Sequence, residues 1–168
     1  MNWFDRQFTF DFPTGLFPCV LERLRGTPAR LDELVNPLPG SVLAVRINNG
    51  WSIQEHAGHL LDLEVLGEQR LVDYQNGASV LTAADLTNRK TNEANHNSAS
   101  IRSILKEFRS TRNRLVGALE KLNEEDAGRT ALHPRLNIPM RVIDWCYFVA
   151  EHDDHHLATI RALSSHAG

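Results

Sequence analysis

Three of the eight histidines crowd into one pentad, His152-Asp153-Asp154-His155-His156, beside two carboxylates. Imidazole nitrogens and carboxylate oxygens are ordinary ligands of zinc and other first-row divalent ions. The pentad is therefore either a metal site or a charged helix face in water. On a helix, residues i and i+4 share a face, so His152 and His156 can converge on one cation as HxxxH pairs do. Alone, that pattern favours two boundary histidines hydrogen-bonded to their neighbours; a third ligand from another element changes the odds. His56 and His59 lie far upstream, three apart. Either can complete a three-histidine set, because packed helix axes approach to about 8–10 Å. His59 falls with Leu63 and Leu66, whereas His56 sits nearer the helix start and is expected to be wetter. Three neutral imidazoles leave a position open for water or substrate, the arrangement of a catalytic rather than a structural site. His96, His133 and His166 fall in irregular or terminal stretches and receive no role.

Four segments with helical periodicity must position these residues. The fourth has an apolar seam through Val142, Cys146, Val149, Ile160 and Leu163. Its three-and-four stepping lands on His152 and His156, which predicts both inward, Asp153 and Asp154 in solvent and His155 on the flank. Pro139 fits the first turn of this helix. The first segment, TGLFPCVLERLRGTPARLDELV, reads as broken at Gly26 and restarted by Thr27 as N-cap with Pro28 in the first turn. The second opens on Ser52 with Glu55 three positions on, a capping box, and closes at Asn76-Gly77. The third runs from about Ala99 to Leu122. No stretch shows convincing strand alternation. The expectation is one all-α domain over residues 1–168, a four-helix bundle. The polar link between the second and third helices exceeds the roughly nine extended residues that a return of about 30 Å needs. A long crossover joining parallel helices is thus permitted.

Composition narrows the function. The 168 residues carry a formal net charge of −3, with 42% hydrophobic and 23% charged residues. That balance argues against generic nucleic-acid or acidic-membrane binding, both of which want a basic footprint. No apolar run reaches the roughly 20 residues of a membrane span. The opening MNWFDRQFTFDFP has acids and aromatics where a signal peptide has a basic start and an apolar run. Cys19 and Cys146 match no ligand pattern and read as buried and reduced. The expected location is the cytoplasm.

GWSIQEHAGHLLDLE, followed far downstream by VAEHDDHHLATI, resembles the DinB-like (DinB/YfiT-like) superfamily. The family pattern is Trp-Ser/Thr at the start of the second helix, a histidine eight residues after the Trp, and HxxxH in the last helix. Counting from Trp51 selects His59 over His56, and the later pair maps onto His152 and His156. The resemblance covers essentially the whole chain, and its specificity lies in the combination of short motifs. It implies a four-helix bundle in which three histidines hold a divalent metal, nickel or zinc. It further implies a homodimer acting on a small molecule, by hydrolysis or by S-transfer or isomerisation with a low-molecular-weight thiol as co-substrate. The competing readings are a stress-linked, non-catalytic metal-binding or interaction protein, and a metal-free, pH-sensitive histidine patch.

Other residues invite chemistry. Arg112 lies in the apolar stripe of the third helix between Phe108 and Leu115 and needs a partner: an anionic substrate group or, more ordinarily, a protein carboxylate. Glu64 suits an Arg, a ligating imidazole or the surface. Glu151 and Asp62 are near the histidines in sequence, with neither singled out as a base. Trp51 and Trp145 read as core anchors.

Overall fold

The computed structural model describes residues 1–166, the side chain of His166 excepted. Its helices are α1 (Phe17–Val35), α2 (Gly40–Leu43), α3 (Ile53–Asp62), α4 (Glu64–Gln75), α5 (Arg89–Glu93), α6 (Ile101–Leu119), α7 (Glu124–Ala127) and α8 (Val142–His166). A hairpin of β1 (Thr130–His133) and β2 (Ile138–Arg141) precedes α8. Helices α3 and α4 continue each other through Leu63, which keeps helical backbone angles. Four rods result: α1, α3–α4, α6 and α8.

Contacts between the rods fix their directions. Gln54 bonds the carbonyls of His96 and Ala99, just before α6, while Glu64 meets Arg112 and Glu68 meets Arg114. Position numbers rise together, so α3–α4 and α6 are parallel and the crossover between them returns the chain. Arg25 meets Glu120 while Asp32 meets Arg109, making α1 antiparallel to α6. His56 meets His156, and His59 packs on His152, making α3 antiparallel to α8.

Two apolar clusters fill the bundle. One holds Leu24, Leu71, Leu115, Trp145 and Cys146; the other holds Leu31, Leu60, Phe108, Leu157 and Ile160. Between them, each rod contributes one buried polar residue: Thr27, Glu64, Arg112 and Asp153. Asp153 is 1% exposed, contrary to its expected place in solvent. Its carboxylate accepts from Arg112 Nη1 at 2.5 Å and from Thr27 Oγ1 at 2.8 Å. The stripe along α8 describes one face, but this helix packs against both α1 and α3 and buries more than one. Asp154 is half-buried and bonded to Arg23 and Arg30.

The expected break in α1 is absent. Helix α1 runs unbroken through Pro28, and Thr27 spends its hydroxyl on the carbonyl of Arg23 and on Asp153 rather than on a cap. A proline inside a helix removes the N–H that would bond the carbonyl four residues back, here Leu24. Arg112 Nη1 donates to that carbonyl at 3.3 Å instead.

The hairpin likewise replaces an expected irregular stretch, and Pro139 lies in β2 rather than in the first turn of α8. Opposite it, Leu132 turns its N–H to Ser79 and its carbonyl to Leu81. Pro139 therefore occupies a site where the ladder asks for no N–H. Asn137 takes a left-handed φ of 54° to close the turn. At the start of α3 the capping box between Ser52 and Glu55 forms as predicted. Cys146 is buried, but Cys19 is exposed.

Candidate metal centre

The antiparallel contact of α3 with α8 brings His59, His152 and His156 together, with one ring nitrogen of each within 4.8 Å of the others. His152 Nε2 lies 3.1 Å from His156 Nε2. His59 and His156 are 4% and 6% exposed. Burial is the main cause that depresses all three pKa values. His59 falls to about 4 with help from His56, and the neighbouring imidazoles push His152 and His156 further down. All three rings are therefore neutral near pH 7, the ligating form. Three uncharged nitrogen donors on two rigid helices suit a divalent first-row ion.

A hydrogen-bonded chain orients His59. Thr91 Oγ1 donates to Asp62 Oδ2 at 3.0 Å, so it accepts from His59 Nδ1 at 3.0 Å. The lone pair of His59 is left on Nε2. His96 Nε2 donates to the same Asp62 oxygen at 2.8 Å. Such partners fix the tautomer and orientation of a ligating imidazole. The His96 ring lies against the backbone of Gly58, where any Cβ would collide with it. Thr91 and His96 come from the crossover, α5 and the turn after it, which periodicity reads only as a polar link. Gly58 beside His59 is the sequence signal of that close approach.

His56 lies outside the trio, with its Nδ1 2.8 Å from His156 Nδ1. His155 packs edge-on against His156 and near Trp3. Trp145 is a core anchor, whereas Trp51 is half-buried, packs on His59 and donates Nε1–H to Asn92. Arg112 has taken the protein-carboxylate option, with Glu64 and Asp153 as partners. Burial opposes its charge, but the two carboxylates outweigh burial and hold its pKa above the usual value. Neither Asp62 nor Glu151 faces the trio. Asp62 serves Thr91 and His96, and Glu151 binds Arg6 and Arg23. The trio opens onto a cavity of about 420 Å³ whose lining includes Trp3, Trp51 and Phe148 and also Arg70, His133 and Arg135. No described helix is long and apolar enough to cross a membrane.

A four-rod bundle of this topology, with three neutral histidines converging at one cavity, defines a class of helical proteins with a candidate divalent-metal site. The chain belongs to the DinB superfamily, whose sequence profile matches residues 23–160. YfiT from Bacillus subtilis, described as a probable metal-dependent hydrolase with an unusual four-helix bundle topology, has a similar fold. The TM-score is 0.79 at 17% identity, over 96% of this chain and 93% of that one. A mycothiol-dependent maleylpyruvate isomerase superposes with a TM-score of 0.70 at 12% identity, over 92% of this chain and 63% of that one. No curated protein sequence matches the chain.

Proposed function

We propose that this protein is a metal-dependent enzyme in which His59, His152 and His156 hold one divalent cation, nickel or zinc. The enzyme would act on a small molecule by hydrolysis or by transfer from a low-molecular-weight thiol. The observation that carries the reading is the convergence of three neutral imidazoles, two buried and one half-buried, from α3 and α8 at the wall of a cavity. When bound in such a site, the cation supplies Lewis acidity toward water and affinity for a soft thiolate. Thr91 and Asp62 hold His59 in the tautomer that frees Nε2. With His156 Nδ1–H donating to His56 Nδ1, the other nitrogen of His156 is free to ligate. Trp3 and Trp51 line the cavity beside the trio, packed on His152 and His59. Asp153, locked to Arg112, fixes the turn of α8 that carries His152. A thiol as co-substrate draws support from the isomerase of similar fold, which is mycothiol-dependent.

Elemental analysis tests the reading. Protein from metal-supplemented expression should carry about one divalent ion per chain, and H59A, H152A and H156A should each lose it. Metal-free wild-type protein would sink the proposal. A thiol-transfer and esterase screen on the loaded protein separates the two chemistries. If the metal were structural in a non-catalytic, stress-linked protein, chelation would lower the melting temperature strongly; an open catalytic site loses activity with a smaller effect on the fold. Light scattering at micromolar concentration checks the expected homodimer.

A further inference from the structure

The far wall of the cavity carries donors with nothing to donate to. His133 is 2% exposed, and its Nδ1 accepts from the Leu136 N–H at 3.2 Å. That bond fixes the neutral tautomer with its proton on Nε2, and Nε2 is buried without a partner. Arg135 Nη2 is also buried and unpartnered. Its guanidinium lies over the rings of Phe4, Phe148 and Trp3, at 5.3, 5.5 and 5.9 Å from their centroids. Arg70 is 4% exposed and donates from Nε to the carbonyl of Thr82 at 3.0 Å. Neither arginine forms an ion pair among the described residues. Asp73, the acid that Arg70 feels, is committed to the Thr82 N–H and to Gln69.

Burying Arg70 without a counter-ion, and Arg135 Nη2 and His133 Nε2–H without an acceptor, is unfavourable. An oxyanion supplies the missing acceptors, and guanidinium geometry suits carboxylate and phosphate. We infer that the cavity takes a small anionic molecule whose carboxylate or phosphate is received by Arg70, His133 and Arg135. The Trp3 and Phe148 rings lie between this wall and the histidine trio. Trp3 packs on His152 at 4.9 Å and on Phe148 at 5.1 Å, and Phe148 packs on His133 at 5.1 Å. An apolar or conjugated body therefore bridges the anion to the reacting end. The anion site stands on its own donors; only the assignment of its ligand as substrate rests on the proposed metal function.

Fluorine NMR on chelator-treated full-length protein tests the site with 4-fluorobenzoate, 4-fluorophenyl phosphate and the neutral 4-fluorobenzamide. Chelation removes any route by which an anion could bind through a metal. At least one anion should bind about tenfold or more tighter than the amide, and R135M should erase that preference. R70M should act likewise, while R135M alone suffices if R70M does not fold. The tighter of the two anions tells carboxylate from phosphate. R114M, which removes a surface arginine outside the cavity, should leave anion binding within about twofold. Equal binding of the three probes, no anion binding at millimolar concentration, or an unchanged preference in R135M overturns the inference. An anion preference in protein whose metal analysis is blank sinks the metal reading and leaves this site standing.

Discussion

Arg112 and Arg135 both line the cavity, and their surroundings are opposite. Arg112 is 1% exposed and binds Glu64 and Asp153 together with the Leu24 carbonyl. Arg135 is half-buried between aromatic rings and leaves a buried Nη2 unbonded. The first is a structural tie whose charge is used up inside the protein. The second keeps unspent capacity at the wall of the cavity. Buried charge thus serves the fold where it is neutralised and marks a ligand site where it is not.

The comparison breaks most visibly at Arg112. R112M strands Glu64 and Asp153 as unpaired buried carboxylates and should cost about 3–5 kcal/mol in denaturant unfolding. Removing the carboxylates as well, in R112M/E64L/D153L, should recover much of that loss. A single R112M that unfolds like wild type would show that the tie is not structural. R135M serves as the contrast and should leave stability nearly unchanged.

A second effect concerns the shell behind His59. T91V keeps the shape of Thr91 and removes the acceptor for His59 Nδ1–H, so divalent-metal affinity should fall by about 10–100-fold by competition with a chromophoric chelator. An unchanged affinity would mean that Thr91 does not orient the ligand.

His133 sets the pH response of the anion wall. Burial first, then Arg70 and Arg135, lowers its pKa to about 3, against about 6.5 in the unfolded chain. As pH falls, the unfolded chain takes up the proton first. The contribution of neutral His133 is complete above pH ~6.5 and is lost progressively toward pH ~3. Between pH 7 and pH 5, wild type should lose about 1–2 kcal/mol more stability than H133N, which retains an acceptor for the Leu136 N–H. Equal losses would show that His133 is not held neutral. The smallest effect lies away from both arginines: S52A, which opens the capping box of α3, should cost about 1 kcal/mol and leave anion preference intact.

Legibility in the sequence varied with how local the cause was. His152 and His156 are readable because an apolar seam leads into and out of them, whereas His59 is singled out from His56 only by the resemblance, whose family pattern places a histidine eight residues after the Trp. The four helical segments and the capping box at Ser52 are local patterns too. Asp153 is not legible in this way, because an apolar seam leaves every off-seam polar residue to water. A polar layer with one member per rod is invisible until the rods are assembled. Pro28 misled for a related reason: the group that relieves its helix, Arg112, lies 84 positions away by number. Thr91, His96, His133 and Arg135 sit in short elements and turns that carry no periodicity in the sequence, so their placement exists only in three dimensions.

The Leu24 carbonyl, orphaned by Pro28 and taken up by Arg112, ties two distant positions into one inheritance. Replacing Pro28 with alanine restores an N–H for that carbonyl and releases one donor of Arg112. Replacing Arg112 first leaves both the carbonyl and the carboxylates stranded. Descendants of this sequence should therefore lose the proline before the arginine, and a chain caught in the reverse order should be rare.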